Sequence, residues 1–541
     1  MSHQPTTQPR PSIYHRYQVH APAPAVPGDA PVVVVGGGPI GLVTALGLAQ
    51  QGVRCALLTA ELQVSEGSRA IVFTRRSMEI LQQAGVADAV VARGLPWCFG
   101  NSFYRGQRVF RMEAPFSDDD RFAPMTNLQQ PVLEELLLQA VARQPLIDLR
   151  WGHLLTAVQS NDHHGVVVTI DTPDGCYQQA AQWLVAADGA RSTLRQLCGL
   201  KLEGAAYEGR FVIADIRVDL PLPTERLAYF DPAWNPGNTV LMHREPEGLW
   251  RVDYQLPPDE TPEQALAPEA LKARIDAQLA MIGHAGIAWE LDWSSVYSAR
   301  ALTLPDYVHG RIAFVGDAAH LLPIFGVRGA NTGFQDAQNL AWKVGLVARG
   351  IAGPALLASY SHERVAAARE IVHEAGKSTR FMTPPTRGFR LLRDAVLSLS
   401  LTHDFVRPLY HWRTSRPHDY LDSPLNTPFD GAEESPAVGA PLANVKLADG
   451  EYLLDHLCEG AFVLLSAEPR PDLAPMLQAW RARGLRTAAV HHPALARLGL
   501  ASAGSALLVR PDQHVCARWQ QVDADALNAA LARALGGASP C

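Results

Sequence analysis

The 541-residue sequence predicts an α/β protein in which a sheet with associated helices is followed by a second, mainly β sheet and a small C-terminal α/β domain. Three observations predict this arrangement. The motif GGGPIG occupies residues 36–41, a second motif, GDAAH, occupies residues 316–320, and residues 444–541 alternate between strand-like and helix-like segments.

GGGPIG has the context of a Rossmann-like turn, because an apolar run precedes it and a helix-like segment, 42–51, follows it. Gly36 permits the tight turn, Gly38 leaves room for a pyrophosphate, and Gly41 lets the helix pack closely on the strand. Pro39 belongs to the same turn. Phosphates in this fold lie at the amides that begin the helix. The motif therefore predicts a bound dinucleotide.

The second predicted strand, 54–58, leads to the position where this fold usually carries an acid for the adenosine ribose. Thr59 stands at that position, and the nearest acid is Glu61. We expect Glu61 to take the role, and the departure at Thr59 puts ribose recognition in question.

GDAAH ends another apolar strand and leads through PIFGVRGANTG into a predicted helix, 333–349. Asp317, after Gly316, is well placed to accept a hydrogen bond from a sugar hydroxyl, while amides near Gly329 and Asn331 address phosphate or a flavin edge. A turn or helix-cap aspartate is the alternative. Together the two motifs predict FAD.

Short strand patterns between the motifs predict the second sheet, at 166–170, 211–218, 239–243 and 250–256. Their polar and aromatic side chains are candidates for contact with a substrate: Tyr229, His243, Arg251, Asp253, Tyr254 and Gln255. Strand alternation places Arg251 and Asp253 on one face and Tyr254 on the other.

The motifs in this order resemble the class A flavin monooxygenases that hydroxylate phenols, the group of p-hydroxybenzoate hydroxylase and 3-(3-hydroxyphenyl)propionate hydroxylase. The resemblance covers roughly residues 30–380. It rests on GGGPIG, GSRAIVFTRRSMEIL (67–81), QPVLEELL (130–137), DGARSTLR (188–195), GDAAH and GANTGFQDAQNLAWK (329–343). One family loop departs from the pattern, because Pro323 is followed by Ile324 where two prolines are usual. Ile324 restores a backbone N–H and should change the pocket shape.

The resemblance implies a role for several further residues. Arg69 matches an arginine near the pyrophosphate and the flavin's mobile edge, and Gln130 matches a glutamine beside the cofactor. Asp188 matches an aspartate that holds the cofactor and admits the nicotinamide donor, and Asp317 matches the ribitol-binding aspartate. Surface salt bridges and turns are the alternatives. The full candidate set for cofactor binding is Gly36, Gly38, Pro39, Gly41, Glu61, Arg69, Gln130, Asp188, Gly316, Asp317, Gly329 and Asn331.

The resemblance also implies a division into domains. We expect a disordered arm (1–30), a discontinuous FAD-binding domain (31–105, 122–200 and 297–385), a substrate-binding sheet (106–121 and 201–296), a helix and linker (386–443), and a thioredoxin-like domain (444–541). The last has no CxxC, so a packing or homodimer role is favoured over a redox role.

The implied reaction is hydroxylation of a phenol or phenolic acid, with O2 and NADH or NADPH, through a flavin C4a-hydroperoxide. The protein must exclude water, position the ring and accept the phenolic proton. A base within hydrogen-bond reach of the phenol is required. His243 is the first candidate, followed by Asp253 and Tyr254. Only one GxGxxG unit is present, so the donor needs a site without its own Rossmann domain, and both donors stay open.

Composition limits the other classes. The net charge of −7 argues against a nucleic-acid partner. Seven scattered cysteines without CxxC or metal spacing indicate a cytoplasmic protein without a metal site. No run approaches the roughly eighteen apolar residues of a membrane span.

Three alternatives share the FAD motifs. A flavin halogenase would need Trp-x-Trp, and no two tryptophans here are two apart. A membrane-bound quinone-pathway hydroxylase would need an apolar or basic amphipathic tail, whereas the C-terminal pattern is typical of a globular domain. A non-catalytic FAD-binding protein would keep the cofactor motifs, and this alternative stays open.

Overall fold

The structure is a computed structural model that describes residues 19–24, 30–67, 69–161, 165–257, 259–323, 325–409, 416–429, 431 and 436–537. Its strands are β1 (Val32–Val35), β2 (Cys55–Thr59), β3 (Val72–Thr74), β4 (Leu95–Trp97), β5 (Phe99–Tyr104), β6 (Gln107–Glu113), β7 (Met125–Asn127), β8 (Ile147–Trp151), β9 (Leu154–Asn161), β10 (Gly165–Thr172), β11 (Gly175–Ala181), β12 (Trp183–Ala186), β13 (Glu203–Arg217), β14 (Arg226–Phe230), β15 (Thr239–Glu245), β16 (Leu249–Gln255), β17 (Glu290–Thr303), β18 (Val308–His309), β19 (Ile312–Phe314), β20 (His320–Leu321), β21 (Lys446–Ala448), β22 (Glu451–Tyr452), β23 (Phe462–Ser466), β24 (Thr487–His491), β25 (Ala506–Val509) and β26 (Val515–Trp519).

The α-helices are α1 (Pro39–Gln50), α2 (Arg75–Gln83), α3 (Ala87–Arg93), α4 (Gln130–Ala142), α5 (Thr193–Leu197), α6 (Pro262–Ala265), α7 (Pro268–Met281), α8 (Gly329–Ala348), α9 (Leu356–Met382), α10 (Arg387–Leu399), α11 (Ala474–Ala482) and α12 (Ala524–Ala534). Short 3₁₀ turns include Gly316–Ala318 and Asp404–Leu409.

A six-stranded sheet in the order β18-β19-β12-β1-β2-β8 carries the first motif. The pairs β19–β12, β12–β1, β1–β2 and β2–β8 are parallel, and β18 is an antiparallel edge. All four residues of β1 are buried valines, as is typical of a parallel strand covered on both faces. Helix α1 packs against α4 and α8. The predicted α/β class is confirmed.

The second sheet has eight strands in the order β20-β17-β13-β16-β15-β14-β5-β6. One face packs on α7 through an apolar cluster that includes Val252, Tyr254 and Ile275. The sheet includes β5, which pairs in parallel with β14, and the whole of β17. The expected boundaries at 105/106 and 296/297 therefore fall inside or beside strands of this sheet, because strand pairing across long loops is not visible in local sequence patterns.

A four-stranded sheet near the C-terminal end has the order β24-β23-β25-β26, with β23 and β24 parallel and the other pairs antiparallel. Helix α11 connects β23 to β24, and α12 follows β26. These elements closely follow the expected alternation of strands and helices in this part of the chain.

Some element bounds differ from the expectation. Helix α1 begins at Pro39, because proline suits the first position of a helix. Helix α8 begins at Gly329, one turn earlier than expected, so Gly329 and Asn331 lie in its first turn. Helix α10 ends at Leu399 and a separate 3₁₀ turn follows at Asp404–Leu409, whereas the sequence pattern predicts a single helix-like stretch over 388–407.

Part of the expected N-terminal arm contacts the folded chain. The His20 amide donates to the Leu62 carbonyl at 2.8 Å, and the Ala23 amide donates to the Trp151 carbonyl at 3.0 Å. Residues 19–24 are therefore held against the dinucleotide-binding sheet, which corrects the expectation of a loose arm for this segment. In the part of the chain that the structure describes, no helix combines the length and apolarity needed to cross a membrane.

Candidate active site

The GGGPIG turn forms an open cradle at the start of α1. Gly36 has φ +117°, and a Cβ there would lie 2.2 Å from the Ala187 carbonyl oxygen, so glycine is required. A Cβ at Gly41 would lie 1.9 Å from the Gly36 carbonyl oxygen. Nothing lies within 4 Å of a Cβ at Gly38, so the space beside this backbone is free for a ligand.

The carboxyl edge of the same sheet continues at Thr59. A Cβ on Gly37 would lie 2.8 Å from Thr59 Cβ, so the cradle and the end of β2 are in contact. Thr59 is buried, and its hydroxyl accepts a hydrogen bond from the Glu61 amide at 3.4 Å. The structure thus keeps Glu61 near the cradle, partly exposed.

The GDAAH segment forms a tight turn facing the same cradle. Gly316 has φ +58°, and Ile40 of α1 packs against it. Asp336 of α8 holds the turn, because its Oδ2 accepts the Gly316 amide at 3.2 Å and lies 2.6 Å from His320 Nε2. The side chain of Asp317 is exposed, yet the protein around it removes enough solvent to raise its pKa.

The Asp188 side chain lies between the cradle and α5. Its Oδ2 accepts the Leu194 amide at 3.0 Å, whereas Oδ1 has no hydrogen-bond partner among the described residues. Burial raises the pKa of this carboxyl. Arg195 donates to the carbonyls of Ala190 at 2.7 Å and Ala318 at 2.9 Å, so it ties the DGARSTLR segment to the GDAAH turn.

Gln130 and its neighbour Glu134 hold the loop that carries Arg69. Gln130 Oε1 accepts the Ala70 amide at 3.2 Å, and Glu134 accepts the Ser65 amide at 2.7 Å. Arg69 is exposed, and its positive charge acts on both Glu134 and Asp317. Gln130 therefore positions the loop, and the charge of Arg69 is close enough to influence Asp317 in the GDAAH turn.

The first turn of α8 is the last of the segments that surround the GGGPIG cradle. A Cβ on Gly329 would meet nothing within 4 Å, as at Gly38. The Asn331 side chain is committed to the protein: it donates to the carbonyls of Val72 at 2.9 Å and Val327 at 2.6 Å and accepts the Thr74 amide at 2.9 Å. Only the backbone of Asn331 is left for a cofactor.

These features fit FAD. The N-terminal ends of α1 and α8 meet through Ile40 and Gly333, where a Cβ would lie 2.8 Å from Ile40 Cδ1. Two helix N-termini with open glycine backbones suit a pyrophosphate and a flavin edge. Asp317 and Asp188 Oδ1 offer acceptors to sugar hydroxyls at the same place.

A row of charged side chains crosses the face of the second sheet that is turned away from α7. Strand register places Arg251 between His243 and Asp215. Arg251 Nε and Nη2 donate to the two carboxylate oxygens of Asp215 at 2.7 and 2.8 Å. Arg226 lies on the other side of His243, and all four residues are buried.

The neighbouring row on this face contains Asp253, paired with Leu241 and Ile213. Burial raises the pKa of Asp253, Arg251 opposes this effect and the charge of Asp215 adds to it, so the pKa is about 7. Burial, together with the charges of Arg226 and Arg251, lowers the pKa of His243 well below 6.5. Asp253 Oδ1 and His243 Nδ1 have no hydrogen-bond partner in the described part of the chain.

Tyr254 lies on the opposite face from His243 and Asp253, as strand alternation predicted. Its ring packs at 5.6 Å on Trp234 and joins the apolar cluster under α7. The proposal that Tyr254 acts as a catalytic base is therefore corrected: the sheet itself separates it from this face. Arg244 also lies on the α7 side of the sheet and donates to the Leu222 carbonyl at 2.9 Å.

Two contacts join the charged face to the cofactor cradle. Arg251 Nη1 donates to the Arg69 carbonyl at 3.4 Å, and the rings of Phe211 and Phe325 meet edge to face at 5.4 Å. Phe325 follows the GDAAH turn; Ile324 lies outside the described residues. The aromatic part of this face is lined by Phe211, Phe230, Tyr297, Phe325 and Phe381.

This face also carries three charged residues that were not predicted from the sequence: Arg226, Asp215 and Glu245. The signal that could have found them is the same alternation that paired Arg251 with Asp253: Arg226 precedes Ala228 and Phe230 on β14, and Glu245 follows His243 on β15. Burial and the Asp215 charge raise the pKa of Glu245 well above 4.5.

Comparison with known proteins identifies the class. The model of the FAD binding domain family matches residues 29–375, and the model of the aromatic-ring hydroxylase C-terminal region matches residues 435–538. The first match covers more than half of the chain. The chain therefore belongs to the FAD binding domain family.

The particular relatives are aromatic hydroxylases. A 3-(3-hydroxy-phenyl)propionate/3-hydroxycinnamic acid hydroxylase of Mycolicibacterium smegmatis is 31% identical over 69% of this chain and 64% of its own length. A Mycobacterium hydroxylase of the same name is 30% identical over 85% and 80%. The chain thus spans less than two thirds of the first of these relatives. The crystal structure of the flavin-dependent monooxygenase PieE, in complex with FAD and substrate, matches with TM-score 0.80 at 26% identity, over 95% of this chain and 100% of that one.

Proposed function

We propose that this protein is an FAD-dependent monooxygenase that hydroxylates a phenolic aromatic compound with O2 and NADH or NADPH. The observation that carries the proposal is the junction between the two sheets. The cradle formed by GGGPIG, GDAAH and the start of α8 meets an aromatic, charged face through the Arg251–Arg69 and Phe211–Phe325 contacts. The names of the relatives support the same chemistry.

Within this proposal each group of residues has a distinct task. Gly36, Gly38 and Gly41 with the start of α8 bind the pyrophosphate and flavin edge, and Asp317 binds the ribityl chain. Bound FAD would accept electrons from the nicotinamide donor and deliver one oxygen atom of O2 to the ring. The aromatic cluster around Phe211 excludes water and holds the substrate ring against the charged face.

Asp253, rather than His243, is the proposed acceptor of the phenolic proton. A general base is most effective when its pKa is close to the working pH, and the pKa of Asp253 is about 7. His243 is kept neutral by burial and by two arginines, so it holds an added proton poorly. Its Nδ1 suits acceptance of a hydrogen bond that orients the hydroxyl. The substrate proton would pass to Asp253 as the ring is hydroxylated.

The arrangement of the rest of the chain is also a proposal. We assign the six-stranded sheet and its helices to FAD binding, the eight-stranded sheet to the substrate, and residues 444–541 to a thioredoxin-like domain. The order β24-β23-β25-β26, with one parallel pair, supports the last assignment. That domain has no CxxC, so its role is packing. A cytoplasmic location, supported by the free cysteines among the described residues, and a homodimer complete the proposal.

The function is tested by following NADH and NADPH oxidation across a panel of phenols and phenolic acids, with hydrogen peroxide quantified. The expected result is acceleration by one class of phenol, with little peroxide and a product heavier by one oxygen atom. Uniformly slow oxidation that ends as peroxide across phenols of every size and charge would refute the assignment of an aromatic hydroxylase.

The base is tested by comparing Asp253→Asn with His243→Gln on the substrate that the panel identifies. Because ionised Asp253 accepts the proton, hydroxylation should rise with pH with a midpoint near 7. Asp253→Asn should remove this rise of hydroxylation with pH and lower product formation by about 10²-fold or more, with hydrogen peroxide released instead. His243→Gln should keep the rise of hydroxylation with pH. A midpoint that survives Asp253→Asn would exclude Asp253 as the base.

A further inference from the structure

A residue from the N-terminal segment lies at the carboxyl edge of the dinucleotide-binding sheet. The carboxyl edge of the dinucleotide-binding sheet is where such folds bind the cofactor. At this edge Gly37 contacts Thr59, and strand register pairs Thr59 with Trp151 of β8. In this fold the adenosine half of a bound FAD would lie toward the end of β2, where Thr59 and its neighbour Trp151 are found.

His20 covers this edge. Its imidazole stacks on the Trp151 ring with centroids 4.3 Å apart and planes 2° from parallel. The backbone of the segment is fixed on both sides, by the His20 amide on the Leu62 carbonyl and by the Ala23 amide on the Trp151 carbonyl. A Cβ on Gly152 would lie 3.1 Å from Pro22 Cβ, so the segment also packs closely on the turn after β8.

The chemistry of β2 makes this placement informative. An acid at the end of β2 ordinarily accepts hydrogen bonds from the adenosine ribose, but the chain has Thr59 there. The Thr59 hydroxyl already accepts from the Glu61 amide, and the side chain is buried. Besides Glu61, the imidazole of His20 is a further polar group at this edge, because it is partly exposed and stacks on Trp151, the strand neighbour of Thr59.

We propose that His20, held by residues 19–24 against Trp151, is a cofactor-binding residue that recognises the adenosine ribose of FAD in place of an acid at position 59. The proposal rests on the FAD site described above. Partial burial lowers the pKa of His20, so at pH 7 the ring is neutral and offers one N–H donor and one acceptor nitrogen. A ribose with adjacent hydroxyls accepts and donates in the same way.

FAD and FMN share the flavin, the ribityl chain and one phosphate, but only FAD carries adenosine. The test uses full-length protein freed of flavin by dialysis and titrated with FAD or FMN, with flavin fluorescence as the readout. His20→Ala removes the ring, whereas His20→Phe keeps the stacking on Trp151 and removes both nitrogens. His373→Ala, on an exposed histidine of α9 with 72% side-chain exposure, is the matched control.

Both His20 variants should raise the Kd for FAD about tenfold, the effect of losing roughly one side-chain hydrogen bond, and leave the Kd for FMN unchanged. The control should change neither. Unchanged FAD binding in both variants, equal loss of FAD and FMN, or full FAD affinity in His20→Phe would each overturn the assignment. The wild-type titration reports FAD binding itself, so a failure of the cofactor assignment is distinguishable from a failure at His20.

Discussion

Glu363→Gln tests whether a buried ionic cluster joins the C-terminal domain to the helices that frame the FAD site. The cluster consists of Lys343 on α8, Glu363 on α9, and Arg510 and Asp512 from the turn after β25; all four are buried. Glu363 accepts from Lys343 Nζ at 2.7 Å and from Arg510 Nη1 at 2.6 Å and Nη2 at 3.0 Å. Asp512 binds the same guanidinium at 2.9 Å.

The magnitude follows from charge counting. The wild-type cluster has two cations and two anions, and Glu363→Gln leaves one buried positive charge without compensation. Breaking a buried ion pair in this way costs about 3–5 kcal/mol. Burial already lowers the pKa of Lys343 to about 8. Loss of the neighbouring carboxylate lowers that pKa further, so Lys343 can shed its proton near pH 7, and we expect about 3 kcal/mol.

The measurement is urea unfolding at pH 7 and pH 9, followed by tryptophan fluorescence and by far-UV circular dichroism. Trp342 donates to Asp512 at 3.2 Å, so its emission reports on the cluster. Coincident transitions by the two probes are needed before free energies are compared. Asp449→Asn, which alters a fully exposed carboxylate paired with the partly exposed Lys446, is the control and should leave the transition unchanged.

The pH dependence has a definite sign. At pH 9 most Lys343 is neutral in the wild type, so its cluster carries an excess negative charge and Glu363→Gln restores balance. The penalty should therefore shrink between pH 7 and pH 9. The pKa of Glu363 lies well below 4.5, so its stabilisation is present above pH 4.5 and is lost as the pH falls through the folded value. A penalty under about 1 kcal/mol at pH 7, or one unchanged at pH 9, would refute the reasoning.

The remaining predictions concern glycines. Gly38→Val should abolish FAD retention without lowering the melting temperature of the flavin-free protein, since its Cβ meets open space. Gly41→Ala should lower that melting temperature, because its Cβ would lie 1.9 Å from a backbone oxygen. A yellow Gly38→Val protein at full occupancy would exclude the phosphate site. Gly67→Ala, at φ +72°, would place its Cβ 2.2 Å from the ring of Trp293, so this variant should be cleaved faster by trypsin after Arg69. Gly106→Ala is the control: it has a similar φ of +77° but open space around the Cβ, and it should not speed cleavage after Arg69. Equal cleavage of both variants would argue against Trp293 as the anchor of that loop.

Much of the fold and of the candidate site was predicted from local sequence patterns. The strand–turn–helix context of GGGPIG and the alternation along β16 depend only on neighbouring residues, and the structure places Arg251, Asp253 and Tyr254 on the predicted faces. Contacts between distant segments were not predictable in this way. His20 meets Trp151 across 131 positions, which neither helical nor strand periodicity encodes. The pKa of Asp253 also depends on burial and on charges supplied by other strands.

The buried polar contacts give the C-terminal domain a physical part in the cofactor site. His514 of that domain stacks on Tyr420 at 4.2 Å, and Tyr420 accepts a hydrogen bond from Arg364 at 2.9 Å. Arg364 binds Asp336 at 2.6 Å, and Asp336 in turn holds the amide of Gly316 at 3.2 Å. Each of these contacts is buried, so displacement of one partner would leave a charged or polar group without its partner. The position of the C-terminal domain is thereby coupled to the turn that carries Asp317. A domain without CxxC can therefore still stabilise the FAD site.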